Sequence, residues 1–226
     1  MASEVPEPPP LSETVIDGWR LVESLDTHSP IHERFVVVAA DGMRRALLTL
    51  YRARSEPDSS ILQTLRRQPL AHVPEILGSG RWDDRAYDVM ELITGGSLQD
   101  LGYEDGDSLE TLHRIIDEIG KALASFAEIG LRHRDIRPGT ILVRRAEPLD
   151  LVITGFGSAR LSDFDLDIVS PLELTRYSAP ETIVGGVSAA SDWWSLGMIL
   201  LERITHATCF AGVNEQAFMI HVVTRG

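Results

Sequence analysis

The residues that could do chemistry gather in four short runs in the second half of the chain. His133-Arg134-Asp135-Ile136-Arg137-Pro138-Gly139-Thr140-Ile141-Leu142-Val143 sets one carboxylate, Asp135, between two arginines. Gly155-Phe156-Gly157, Ala179-Pro180-Glu181 and Asp192-Trp193-Trp194-Ser195-Leu196-Gly197 follow in that order. His206 and Cys209 have a spacing that suits a metal, but two ligands without a second pair do not make a site.

The first run resembles the catalytic loop of protein kinases, and the others resemble that family's D-F-G, A-P-E and F-helix motifs at suitable spacings. Met90-Glu91-Leu92 with Gly95-Gly96-Ser97-Leu98 resembles the hinge between the family's two lobes. The resemblance covers roughly residues 15–223. It implies an α+β, bilobal protein-kinase-like fold, with a small β-rich N-lobe and a mainly helical C-lobe truncated after the G-helix region. Residues 1–14 then form a Pro/Glu-rich disordered arm, 15–92 the N-lobe and 93–226 a partial C-lobe.

Taken residue by residue, the family's mechanism meets departures. Phosphoryl transfer depends on positioning and charge, so each phosphate and metal ligand matters. The stretch equivalent to the Gly-rich loop, Leu25 to Phe35, holds no glycine, and His28, Pro30, Ile31 and His32 would obstruct a phosphate. The strand lysine falls at Thr49, and no lysine precedes Lys121. The C-helix glutamate is missing from residues 57–74, where Gln63 lies nearest its place. Magnesium ligands of the family become Thr140 and Gly155, and the loop lysine becomes Arg137. Asp135 alone survives, as a vestigial base.

What remains has a scaffolding meaning within the family. Arg134 and Asp135 organise the loop, Asp192 ties it to the F helix, and Phe156 packs between the lobes. The pattern predicts a degenerate, bacterial-type pseudokinase: catalytically inactive, with neither ATP nor magnesium bound, no metal, and a regulatory or scaffolding role toward a protein partner. The alternative is a divergent protein kinase, or a kinase-fold transferase, using ATP with Asp135 as base.

These motifs need elements to hold them. Phe35–Ala40 and Ala46–Tyr51 read as strands joined at Asp41-Gly42, and Arg85–Leu92 as another. Ser59–Arg67 suits a short helix with Ile61, Leu62 and Leu65 inward. Ser108 caps a long helix carrying Leu112, Ile115, Ile116, Ile119, Leu123, Phe126 and Ile129 at helical spacing, ended by Gly130. Ile141–Val143 and Leu149–Ile153 flank a turn, and helices follow over Asp192–Ile204 and Asn214–Val223. Trp19, Trp82, Trp193 and Trp194 are read as packing residues.

The formal charge of -13 argues against nucleic acid, since phosphate-binding faces need clustered cations, and Arg44-Arg45 and Arg66-Arg67 are short solvated runs. Asp163, Asp165 and Asp167 read as loop charges rather than as partners of Arg134. The first residues lack a basic or apolar targeting segment, and no apolar run reaches membrane-spanning length. The one cysteine suits a reducing compartment, so a cytoplasmic location is expected. The chain stops at Gly226, before the region that supplies the family's arginine partner for Glu181. Either it is a piece of a longer protein, the favoured reading, or a partner covers that surface.

Overall fold

The computed structural model describes residues 13–25, 31–53, 58–101, 108–168, 174–207, 209 and 211–225. Most of the N-terminal arm, and His28 and Pro30 of the expected phosphate loop, lie outside the described residues. The described part divides into two compact units. The first holds the residues before 57 and Glu75–Leu92; the second holds 57–74 and the rest of the chain.

In the first unit, strands β1 (Val15–Ile16), β2 (Trp19–Leu25), β3 (His32–Ala39) and β4 (Arg45–Tyr51) run in chain order. Strands β5 (Ile76–Trp82) and β6 (Arg85–Glu91) complete one antiparallel sheet of order β1-β2-β3-β4-β6-β5. The β3–β4 turn forms at Asp41-Gly42 because Gly42 takes φ +74°, and its N–H donates to the Ala39 carbonyl at 2.8 Å. Alternation along the strands puts Phe35, Val37, Ala46, Leu48, Leu50, Tyr87 and Val89 on one face. Together with Ile16 and Leu21 they make a buried apolar cluster. Each such side chain contributes about 1.5–3 kcal/mol on burial, so this face fixes the register.

The second unit is mainly helical. Helix α1 (Ser59–Arg67) is capped by the Asp58 side chain, which accepts from the Ser60 N–H, and it buries Ile61, Leu62 and Leu65. Helix α2 (Leu109–Glu128) begins where Ser108 accepts from the Thr111 N–H. It buries Leu112, Ile115, Ile119, Leu123 and Phe126, while Ile116 stays exposed. Gly130, at φ +70°, turns the chain into β7 (Leu131–Arg132). A Cβ at that glycine would meet the Ser162 carbonyl oxygen at 2.8 Å.

Strands β8 (Ile141–Arg145) and β9 (Asp150–Ile153) form a hairpin behind the catalytic-loop residues. Short strands β10 (Arg160–Leu161) and β11 (Asp167–Ile168) pair with β7 and with β12 (Gly186–Val187). Helix α3 (Ala189–Ile204) starts three residues before the expected Asp192, because Ser188 and Ser191 form a reciprocal cap. Helix α4 (Glu215–Arg225) follows Asn214, whose side chain accepts from the Ala217 N–H. A strand-rich unit followed by a helical one is the α+β, protein-kinase-like arrangement the motifs imply. Among the described residues, no helix is long and apolar enough to cross a membrane.

Candidate active site

The loop between β7 and β8 is held by one carboxylate. Asp192 of α3 accepts the backbone N–H of His133 at 2.8 Å through Oδ2 and that of Arg134 at 2.9 Å through Oδ1. Arg134 needs this clamp, for its φ of +69° is a conformation that non-glycine residues rarely adopt. Burial pushes the Asp192 carboxyl up to about 6, with the two backbone N–H groups opposing that rise. The Arg134 guanidinium donates to the Ser158 carbonyl at 3.2 Å, which ties the loop to the segment after Gly155-Phe156-Gly157.

His133 is fully buried. Its Nδ1 accepts from the Asp135 N–H at 3.3 Å, so its proton sits on Nε2, 3.1 Å from the Thr154 carbonyl. The ring stacks on Phe126 and meets Phe156 edge-on at 5.0 Å. Burial drops its pKa to about 4, so the ring is neutral at physiological pH. His133 therefore supports the loop, and Phe156 packs against it and Phe126 within the second unit.

Asp135 is half-buried at the end of this arrangement. Burial raises its carboxyl, and the charge of Arg137 and its hydrogen bond oppose that rise. Arg137 Nε donates to Asp135 Oδ1 at 2.9 Å. The two residues line a cavity of about 450 Å³ together with Thr175, Tyr177, Ser178 and Ser195. Ser195 donates to the Tyr177 carbonyl at 2.8 Å and Tyr177 donates to Glu202 at 2.7 Å, so α3 fixes the far wall. Thr175, Tyr177 and Ser178 were not singled out from sequence. Their position just before Ala179-Pro180-Glu181 was the only available signal.

Thr140 and Gly155 do not offer the family's metal ligands. The Thr140 hydroxyl accepts from the Arg137 N–H at 3.1 Å and shares its proton between the carbonyls of Asp135 and Arg137, at 2.8 and 3.0 Å. Gly155 sits at φ +87°, and a Cβ there would meet Thr140 Cγ2 at 3.2 Å. Among the described residues, no group of three or more His, Cys, Asp or Glu could hold a metal ion, His206 and Cys209 included.

The remaining predicted residues are placed as follows. Glu181, expected to lack its arginine, accepts from the Ser191 hydroxyl at 2.6 Å. Ala179 is buried and Pro180 opens the short turn of residues 180–184. Asp163 and Asp165 are exposed, and among the described residues neither they nor Asp167 form an ion pair. Thr49 lies in the first unit, buried in β4, and faces Arg34 and Asp88 on the neighbouring strands.

Comparison with known proteins gives these features a context. The protein kinase domain family matches residues 51–225. The chain is 35% identical over 130 residues to serine/threonine-protein kinase AtPK1/AtPK6 of Arabidopsis thaliana, covering 57% of this chain and 28% of that one. It is 31% identical over 176 residues to human serine/threonine-protein kinase H1, covering 74% and 41%. Serine/threonine-protein kinase PknA of Mycobacterium tuberculosis is 35% identical over 144 residues, covering 60% and 31%. The chain thus spans less than half the length of these relatives.

These matches overturn two expectations drawn from sequence, that the fold is inactive and that neither ATP nor magnesium is used. The relatives are named as kinases, and their family normally uses ATP and magnesium. The departures at Thr49, Thr140 and Gly155 concern single side chains, whereas the family match runs over residues 51–225. With its motifs in order, its loop clamped by Asp192 and the match extending over most of its length, the chain belongs to the protein kinase domain family.

Proposed function

We propose that this chain carries the catalytic domain of a divergent serine/threonine protein kinase, which transfers the γ-phosphoryl group of ATP to a protein hydroxyl with Asp135 as base. The observation that carries the reading is Asp135 on the wall of the 450 Å³ cavity, with one oxygen held by Arg137 and the other wall made by Thr175, Tyr177 and Ser178. The substrate hydroxyl gives its proton to Asp135 as its oxygen bonds to the γ-phosphorus, and the bond from that phosphorus to the leaving oxygen of ADP breaks. Burial makes Asp135 a stronger base than a free carboxylate, and Arg137 orients it. A magnesium ion arriving with ATP would supply charge to the phosphates, and Thr140 and Gly155 would leave it to phosphate oxygens and water for ligands.

The partner under this reading is a protein substrate, and the single cysteine and the need for ATP suit the cytoplasm. The regulatory, scaffolding role expected from sequence gives way to this reading. The test is phosphotransfer from γ-labelled ATP with Mg²⁺ to a library of serine- and threonine-containing peptides. Asp135→Asn should lower the rate roughly 10²–10⁴-fold, the usual contribution of a general base. Equal labelling by Asp135→Asn and the unaltered chain would remove Asp135 as base; no labelling by either would overturn the kinase reading.

A further inference from the structure

Arg34, Thr49 and Asp88 stand in a row across three strands. Arg34 of β3 is registered opposite Thr49 of β4, and Thr49 opposite Asp88 of β6. Directly opposed residues of antiparallel strands point to the same face. This face is the reverse of the apolar cluster that contains Phe35, Leu48 and Val89. A polar row inside a sheet needs a reason, because burying unpaired polar atoms costs free energy.

The row is only half satisfied from within. Asp88 is 1% exposed; its Oδ2 accepts from the Tyr51 hydroxyl at 2.7 Å, and its Oδ1 is buried without a partner. Arg34 is half-buried, and its Nε is likewise buried without a hydrogen-bond partner. The two charges act on one another across Thr49, but they make no direct ion pair. Three other arginines of this unit are in ion pairs: Arg44 with Glu75, Arg45 with Glu23 and Arg85 with Glu33. Arg34 thus presents a guanidinium that Asp88 attracts without pairing, with donors left over for an anion.

Thr49 is where the family's strand lysine would stand, and the first unit contains no lysine at all. We propose that Arg34 supplies, from the adjacent strand, the cationic contact to the phosphates of ATP that Thr49 cannot make. The Asp88 charge attracts that guanidinium across Thr49, and Tyr51 holds Asp88. The charge has moved one strand over while staying on the same face. This inference rests on the reading of the chain as an ATP-using kinase and names the residue that recognises the phosphates.

Binding of ATP and of adenosine, measured by calorimetry on the unaltered chain and on Arg34→Gln, Arg34→Lys and the double variant Arg34→Gln/Thr49→Lys, tests it. Arg34→Gln should weaken ATP roughly 10–100-fold, the loss of one or two charge-assisted hydrogen bonds. Adenosine, which has no phosphate, should bind unchanged. Arg34→Lys should keep most of the affinity, and adding Lys at position 49 should restore it. ATP binding by Arg34→Gln equal to that of the unaltered chain overturns the assignment, as does an equal loss of adenosine, which would mark a structural role. An unaltered chain that binds neither ligand overturns the kinase reading as well.

Discussion

His133 and Asp192, 59 residues apart in sequence, are joined by a 2.8 Å hydrogen bond from the backbone N–H of the first to the carboxylate of the second. The same carboxylate takes the Arg134 N–H, so one side chain satisfies two donors and holds a left-handed residue in place.

Asp192→Ala should therefore be costly. Each orphaned donor is worth about 1–3 kcal/mol. For a chain of this size the melting temperature should fall by roughly 5–20 °C. Thermal unfolding followed by circular dichroism checks this, and an unchanged midpoint would mean that the clamp contributes nothing.

The His133 ring gives a pH dependence of definite sign. Its pKa is about 4 in the folded chain against 6.5 ordinarily, so between those values the unfolded chain binds the proton and the folded chain does not. The stabilisation is complete above about pH 6.5 and is lost as pH falls toward 4, by up to about 3 kcal/mol. His133→Phe fits between Phe126 and Phe156 and removes this slope. Urea unfolding at a series of pH values should show the variant closing on the native chain as pH drops.

Asp88 works in the opposite direction. Burial lifts its carboxyl to about 6, so the folded chain binds the proton more tightly than the unfolded one. Its contribution is present at low pH and is lost as pH rises from about 4 through about 6. Asp88→Asn still accepts from Tyr51 and should gain on the native chain over that interval, by up to about 3 kcal/mol. A variant whose difference from native is flat with pH would contradict this.

Gly155→Ala should destabilise. Its φ of +87° costs an L side chain about 1–2 kcal/mol, and the added Cβ meets Thr140 Cγ2 at 3.2 Å. A fall in melting temperature of roughly 2–8 °C is expected. Gly155→Asp, which writes the family's aspartate back into place, meets the same obstacle and should also melt lower.

Local signals were legible in the chain. Helix α1 begins and ends at Ser59 and Arg67 as its apolar spacing predicts, and Ser108 caps α2. Strand β5 was harder to see, because Gly78, Ser79 and Gly80 interrupt its alternation and only pairing with β6 completes it. The clamp on the catalytic loop was legible only through the family resemblance, and the cavity wall at Thr175, Tyr177 and Ser178 was not legible at all. Nothing in a short polar segment tells which helix will brace it.

The sequence by itself determined the order of the kinase motifs, the caps and turns, and the absence of any lysine before Lys121. Those are properties of neighbours along the chain. Tertiary structure alone decided that Arg34 faces Thr49 and that Asp88 faces it from the other side. Registers among β3, β4 and β6 are set by the apolar cluster on the opposite face, built from residues up to 73 positions apart, Ile16 to Val89. Which charges share a face follows from that packing, and so does the row of Arg34, Thr49 and Asp88.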